Sequence, residues 1–156
     1  MNITRKEFFV KTAQGIAIIS LPSVLSSFLE SCNSPTAPIN AATLPVLQGT
    51  LSNGIVTVGI DPSSSVAKAG GAAIVNISSG PLLIDHPSGT TYNAFTAICT
   101  HQGCTINNYD TGSSQFVCLC HGSRYDINGK VVQGPASTAL QQFQTRFSNN
   151  QLFITL

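Results

Sequence analysis

The chain has 156 residues and a formal net charge of +1, and only 8% of its residues are charged. This length predicts one domain. The sequence has no basic run and no acidic tail, which argues against a nucleic-acid partner. A hydrophobic content of 42% is sufficient for a packed core and excludes a disordered chain.

Residues 1–31 have the anatomy of an export signal. A positively charged stretch, 1–11, precedes an uncharged and mostly apolar stretch, 12–29. Residues 4–11 resemble the twin-arginine export motif, with Lys6 where the second arginine is expected. The twin-arginine route carries folded proteins, whereas Lys6 leaves the general secretion route open. We therefore expect an exported bacterial protein, at the outer face of a membrane or in the periplasm, with a signal that is cleaved.

Cys32 follows Leu29-Glu30-Ser31, and these four residues resemble a bacterial lipobox, in which Glu30 is unusual. The resemblance implies cleavage before Cys32 and diacylglycerol attachment to its sulfur. Several acyl chains hold a protein stably at a membrane where one chain is marginal. Residues 32–44 contain two prolines and no periodicity, so we interpret them as a tether.

The body of the chain, residues 45–156, predicts short strands separated by turns. Nothing after residue 32 shows a convincing helical period. We predict an all-β fold, a small antiparallel sandwich or barrel. A tight hairpin is expected at Asn149 and Asn150, and His86 is interpreted as a loop histidine. The predicted strands are 46–51, 55–60, 72–77, 82–85, 90–97, 114–117, 130–132, 139–147 and 151–155.

Two loops hold four cysteines and two histidines. Their sequences are Cys99-Thr100-His101-Gln102-Gly103-Cys104 and Cys118-Leu119-Cys120-His121-Gly122-Ser123. Three kinds of site fit these residue types. Two Cys and two His can bind tetrahedral zinc, and four Cys can form two disulfides in an exported protein. The third is an iron–sulfur cluster in which two His replace two Cys on one iron.

The spacing within and between these loops resembles the Rieske iron–sulfur family. The family pattern is Cys-x-His followed, after roughly 15–17 residues, by Cys-x-x-His, and 16 residues separate His101 from Cys118. The resemblance is strong over about residues 90–137. It implies a [2Fe-2S] cluster at one tip of the fold, with Cys99 and Cys118 on one iron and His101 and His121 on the other.

The resemblance also implies a disulfide between Cys104 and Cys120, as in the family members that tie the two loops together. Ser123 matches a serine that donates a hydrogen bond to a bridging sulfide. Tyr125 matches a tyrosine that donates to a cysteine ligand. Donors to these sulfurs raise the reduction potential.

Three further residues lie where the family needs tight backbone turns beside the cluster. Gly103 and Gly122 flank the ligands, where loops pass close to a cluster. Pro135, in Gly134-Pro135-Ala136, resembles the family's proline-rich third loop, although a plain turn would use the same residues.

A chain of this kind is expected to transfer one electron at a time and to catalyse no reaction alone. We predict an exported, membrane-anchored subunit of a respiratory complex resembling quinol–cytochrome c reductase, with redox proteins as partners and quinol as a candidate donor. Gln102 stands where those relatives usually carry leucine, and Leu119 where proline is common. The alternatives are the small subunit of an exported molybdenum oxidoreductase such as arsenite oxidase, a stand-alone lipid-tethered carrier, and a zinc-stabilised binding module.

Overall fold

The computed structural model describes residues 40–156. The predicted export signal, Cys32 and most of the predicted tether lie outside the described residues. Within residues 40–156, no helix is long and apolar enough to cross a membrane. Apart from one 3-10 turn, Ser65–Ala67, the regular elements there are strands. They are β1 Ala42–Thr43, β2 Val46–Ser52, β3 Ile55–Gly59, β4 Gly71–Asn76, β5 Leu82–Ser88, β6 Thr91–Thr96, β7 Asn108–Asp110, β8 Gln115–Val117, β9 Arg124–Tyr125, β10 Val131–Gln133, β11 Gln142–Ser148 and β12 Gln151–Thr155.

The strands form a closed barrel and a second, five-stranded sheet. The barrel order is β11-β12-β3-β2-β4-β5-β6, and the second sheet has the order β1-β7-β8-β9-β10. The predicted all-β fold is confirmed. One pairing departs from the antiparallel prediction, because β2 and β4 run parallel. The connection after β3 crosses to the other edge of β2 and brings β4 back in the same direction.

The predicted hairpin at Asn149 and Asn150 is present. Ser148 pairs with Gln151 across it, and the two asparagines have φ of 52° and 57°. Two successive residues with positive φ make the two-residue turn whose twist matches that of the flanking strands. Asparagine adopts this conformation more readily than most residues.

Strands β5 and β6 form a wall between two apolar clusters. Successive side chains of a strand point to opposite faces. Ile84 therefore belongs to the cluster inside the barrel. Leu83 belongs to the other cluster, together with Phe95 and Phe116. Cys99 and Cys118 are also members of this second cluster. The two cysteine-histidine loops thus stand on a packed apolar base shared with the barrel wall.

The N-terminal edge of the five-stranded sheet comes from residues that the sequence analysis assigns to the tether. Ala42 pairs with Tyr109 and Thr43 with Asn108. The next residue, Leu44, is 4% exposed and donates its N–H to the carbonyl of Asn107 at 2.8 Å. The chain is therefore attached to the second sheet before it enters the barrel.

His86 is not in a loop, as the sequence analysis expected, but in strand β5, where it is buried. A register irregularity between Asp85 and Ser88 lets the strand continue past Pro87, in the way that bulges accommodate proline. The two ring nitrogens lie 3.2 Å from the carbonyl of Val66 and 2.8 Å from that of Gly89. These contacts account for the side chain as a structural one.

Candidate metal centre

The two cysteine-histidine loops have the same backbone hydrogen bonds. We call residues 99–104 loop 1 and residues 118–123 loop 2. In each, the N–H of the first residue donates to the carbonyl of the sixth, and the N–H of the fifth donates to the carbonyl of the first, at 2.8 to 2.9 Å. The fifth residues, Gly103 and Gly122, have φ of 75° and 80°. Glycine adopts this region without the cost that a Cβ brings.

A disulfide joins the two loops. It links Cys104 of loop 1 to Cys120 of loop 2, with their Cα atoms 6.6 Å apart. The sulfur of Cys118 lies within 4.8 Å of both disulfide sulfurs. These three sulfurs do not form a ligand set, because two of them are bonded to each other, and only Cys118 is left to bind a metal.

Cys99 and Cys118 are free thiols in the described part of the chain, and both are buried. Burial raises the pKa of Cys99, but hydrogen bonds outweigh it, that of Tyr125 foremost, so the pKa lies below its ordinary value. Burial, together with the adjacent Cys99 side chain, raises the pKa of Cys118. The Tyr125 hydrogen bond thus favours the thiolate form of Cys99.

His101 and His121 lie beside each other, with ring centroids 4.8 Å apart and the rings at 85°. His101 is half-buried and His121 is exposed. Among the side-chain atoms of residues 40–156, His101 Nδ1 is one of two buried polar atoms with no hydrogen-bond partner. A buried nitrogen without a partner costs free energy, and binding a metal would remove that cost.

This arrangement fits a metal centre held by two thiolates and two imidazoles. Both thiols are buried, and the unpartnered His101 nitrogen is the kind of donor that a bound metal satisfies. The donor set alone suits zinc as well as iron. The comparisons with known proteins separate these alternatives.

Two buried hydroxyl groups, those of Tyr125 and Ser123, each accept a backbone N–H beside the site. The Tyr125 oxygen lies 3.3 Å from Cys99 Sγ and accepts the N–H of Thr100 at 3.2 Å. Ser123 Oγ accepts the N–H of Ala136 at 3.0 Å. Burial raises the pKa of the Tyr125 phenol, so it keeps its proton. Each hydroxyl therefore has an O–H available as a donor.

The third loop is tied to both of the others. It contains Pro135, after a cis peptide bond, and Ala136, whose N–H meets loop 2 at Ser123. Thr100 of loop 1 donates its hydroxyl to the carbonyl of Thr138 at 2.6 Å. Thr100 was not predicted as a site residue, although its place between Cys99 and His101 was a signal that it faces the site.

A sequence model described as the Rieske [2Fe-2S] domain matches residues 57–144. The chain belongs to the Rieske family. Its cofactor is accordingly a [2Fe-2S] cluster, as the sequence analysis predicted.

One curated relative is the "cytochrome b6-f complex iron-sulfur subunit" of Synechococcus sp. (strain RCC307), which is 39% identical over 74 residues. That alignment covers 47% of this chain and 41% of the relative. The chain thus spans about two fifths of the length of such relatives.

Two solved structures resemble this Rieske protein. The cyanobacterial plasma membrane Rieske protein of Synechocystis PCC 6803 is 32% identical, with a TM-score of 0.48, over 55% of this chain and 86% of that chain. The ferredoxin of carbazole 1,9a-dioxygenase from Nocardioides aromaticivorans IC177 is 13% identical, with a TM-score of 0.50, over 64% of this chain and 96% of that chain. The second likeness shows the shared fold.

The chemistry that this Rieske site supports is electron transfer. A bound [2Fe-2S] cluster accepts and donates single electrons. The chain keeps Cys99 and Cys118 away from water on the apolar base. It holds the O–H groups of Ser123 and Tyr125 where they can stabilise negative charge on sulfur. It also leaves His121 exposed, where a partner can approach.

Proposed function

We propose that this Rieske protein is the exported, membrane-anchored electron-transfer subunit of a respiratory complex related to quinol–cytochrome c reductase. The observation that carries the proposal is the pair of buried hydroxyls, Ser123 and Tyr125, each of which accepts a backbone N–H and keeps its own O–H to donate. Donors to the sulfurs of a cluster raise its potential. A high potential suits a protein that takes electrons from quinol.

In this proposal Cys99 and Cys118 hold one iron, and His101 and His121 hold the other. The adjacency of the two thiols and of the two imidazole rings supports this ligand set. The disulfide between Cys104 and Cys120 limits the relative motion of the two loops and thereby protects the site.

Membership in a complex is supported by the relatives named as subunits of the cytochrome b6-f complex. Anchoring is supported by the lipobox-like residues before Cys32. The residues that follow Cys32 act as a tether, and the Rieske domain follows the tether.

The first test is the midpoint potential of the cluster-loaded protein by protein-film voltammetry. Rieske potentials span roughly −150 to +300 mV, and we expect a one-electron wave in the upper half of this range. Ser123→Ala and Tyr125→Phe should each lower the potential, because each removes one donor. Ser137→Ala and Tyr109→Phe are matched controls outside loops 1 and 2, and they should leave it unchanged. A wild-type wave in the lower half, or no response to either donor variant, would contradict the proposal.

The second test concerns the anchor. Mass spectrometry of the membrane fraction should find the mature chain beginning at Cys32 with a diacylglyceryl group. Cys32→Ser should release the protein in soluble form with its cluster intact. A mature chain that begins elsewhere, or one that stays in the membrane as the serine variant, would rule out the lipid anchor.

One observation favours a second candidate, the small subunit of an exported molybdenum oxidoreductase. Leu119, at the surface of loop 2, is 56% exposed, whereas loop 1 exposes the polar Gln102. The exposed apolar residue is on loop 2, whereas the respiratory relatives usually carry leucine at the position of Gln102 in loop 1, and this difference favours a partner other than a cytochrome b. Affinity purification from the native membrane distinguishes the candidates. Co-purification of a haem-containing cytochrome b indicates the respiratory complex. Co-purification of a molybdopterin subunit indicates the second candidate. If neither co-purifies, the protein is a stand-alone carrier.

A further inference from the structure

The Tyr125 hydroxyl contacts two residues, Cys99 and Thr100, and Thr100 contacts it through two atoms. Its N–H lies 3.2 Å from the phenol oxygen, and its Oγ1 lies 3.0 Å from the same oxygen. Cys99 Sγ lies 3.3 Å away. The phenol oxygen is therefore surrounded by one fixed donor and two candidate acceptors.

The position of each proton follows from the chemistry of these groups. A backbone carbonyl only accepts, so the 2.6 Å contact with the Thr138 carbonyl takes the single hydroxyl proton of Thr100. Thr100 Oγ1 can then only accept from Tyr125. The backbone N–H of Thr100 can only donate, so the phenol oxygen accepts it. One phenolic proton remains, and Thr100 Oγ1 and Cys99 Sγ both face it.

We propose that Thr100 is a positioning residue that sets how much of the Tyr125 hydrogen bond reaches the Cys99 sulfur. Its backbone N–H orients the phenol oxygen, while its hydroxyl oxygen competes with the sulfur for the phenolic proton. The proposal rests on the proposed role of Cys99 as an iron ligand and of Tyr125 as its donor. A stronger bond to the sulfur raises the potential, so Thr100 holds the potential below the value that Tyr125 alone would give.

Removing the competing oxygen tests this role. Thr100→Val keeps the shape and the backbone N–H but has no hydroxyl, and Thr100 is exposed, so valine meets no packed core there. We expect the midpoint potential of the cluster-loaded full chain to shift upward. Thr100→Ser keeps the hydroxyl and should not shift it. Thr138→Val is a matched control, since the Thr138 carbonyl, which is the group that Thr100 contacts, is retained.

The same change in a Tyr125→Phe background separates tuning from structure. Without the phenolic proton there is nothing to compete for, so Thr100→Val should then leave the potential unchanged. Equal shifts in the two backgrounds would mean that the lost contact with Thr138 acts by itself, and this would overturn the proposal. No shift of the single variant would overturn it as well.

The iron content of each variant shows whether a change in potential could instead reflect failure to bind the cluster. Thr100→Ala removes the same oxygen with a smaller side chain, and it stands in if the valine variant does not load. Failure of both variants to bind iron, with folding intact by circular dichroism, would assign Thr100 a structural role and overturn the tuning role. If Tyr125→Phe alone leaves the wild-type potential unchanged, the donor role of Tyr125 has failed, and that failure belongs to the proposed function.

Discussion

Loop 1 and loop 2 follow one backbone path but place their functional side chains differently along it. The third position is His101 in loop 1 and Cys120 in loop 2, and the fourth is Gln102 in loop 1 and His121 in loop 2. Both loops have the same two backbone hydrogen bonds and a glycine with positive φ at the fifth position. The asymmetry of the site therefore comes from side chains and not from the backbone.

The shift of one position decides which groups face each other. The disulfide joins the sixth position of loop 1, Cys104, to the third position of loop 2, Cys120. With the loops linked in this way, the His101 and His121 rings lie beside each other. One histidine is half-buried and the other is exposed. Two equivalent turns thus produce one protected and one accessible imidazole.

The largest expected effect is at the first position, where the loops are identical. Cys99→Ala and Cys118→Ala should each abolish cluster binding, because each removes a thiolate that no neighbouring free thiol replaces. Iron content and visible absorbance after purification measure this. Leu119→Ala is the matched control within loop 2 and should retain the cluster. A cysteine variant that keeps its iron would break the equivalence of the loops.

The second largest expected effect is on the pH dependence of stability. It arises at Asp85 in the barrel wall, outside both loops, so it tests stability separately from cluster binding. Asp85 is 1% exposed, and burial raises its pKa to about 7, against a lowering by the Asn93 hydrogen bond. The folded chain then holds a proton that the unfolded chain releases above about pH 4. The free energy of unfolding should therefore fall by up to about 4 kcal/mol as the pH rises from 4 to 7.

Asp85→Asn should remove this part of the pH dependence. The amide can also change the free energy of unfolding, but by the same amount at every pH. Denaturant unfolding at several pH values measures it, with the exposed Asp61→Asn as the control that keeps the slope. Parallel curves for wild type and Asp85→Asn would show that Asp85 keeps an ordinary pKa in the folded protein.

The third largest expected effect is the loss of stability when the disulfide between the loops is removed. The disulfide closes a loop with a sequence separation of 16, and a crosslink of that size contributes about 3 kcal/mol to stability. The double variant Cys104→Ser, Cys120→Ser should lose about this amount in chemical unfolding, and reduced wild type should match it. A loss below about 1 kcal/mol would mean that the hydrogen bonds of the third loop hold the two loops together.

The smallest effect tests the shared backbone directly. Gly103→Ala and Gly122→Ala should each cost about 1–2 kcal/mol, because an alanine at positive φ is strained. A Cβ meets nothing within 4 Å at either position, so the cost is conformational. Gly59→Ala has the same open space without positive φ, and it should be nearly neutral. Unequal costs in the two loops would show that their turns differ energetically.

The site was more predictable from the sequence than the architecture around it. The cysteines and histidines were visible in the sequence as two short clusters, and the resemblance to the Rieske family implied the disulfide that joins the two loops. Asn149 and Asn150 specified their hairpin through local conformation. Barrel closure and the parallel pairing of β2 with β4 depend on contacts between distant segments, which no local pattern encodes.

Short strands and hydrogen bonds between distant residues could not be predicted from the sequence either. β7 and β9 have three and two residues, too few to show alternation. The strand position of His86 depends on a bulge next to Pro87. The role proposed for Thr100 depends on where the Thr138 carbonyl lies, 38 residues along the chain, and no motif spans that distance.

The pairing of β1 with β7 has a mechanical consequence. Tension that enters the chain from the N-terminal side of Ala42 reaches the sheet beneath loops 1 and 2 first, and the barrel only after that. β1 pairs with β7 through only two residues, whereas β2 pairs with β3 through four. Pulling on the chain would therefore peel β1 away before it strained the barrel, and each residue freed from β7 would lengthen the free chain by about 3.3 Å. The short edge strand is therefore the first element of the described domain to detach under such a load.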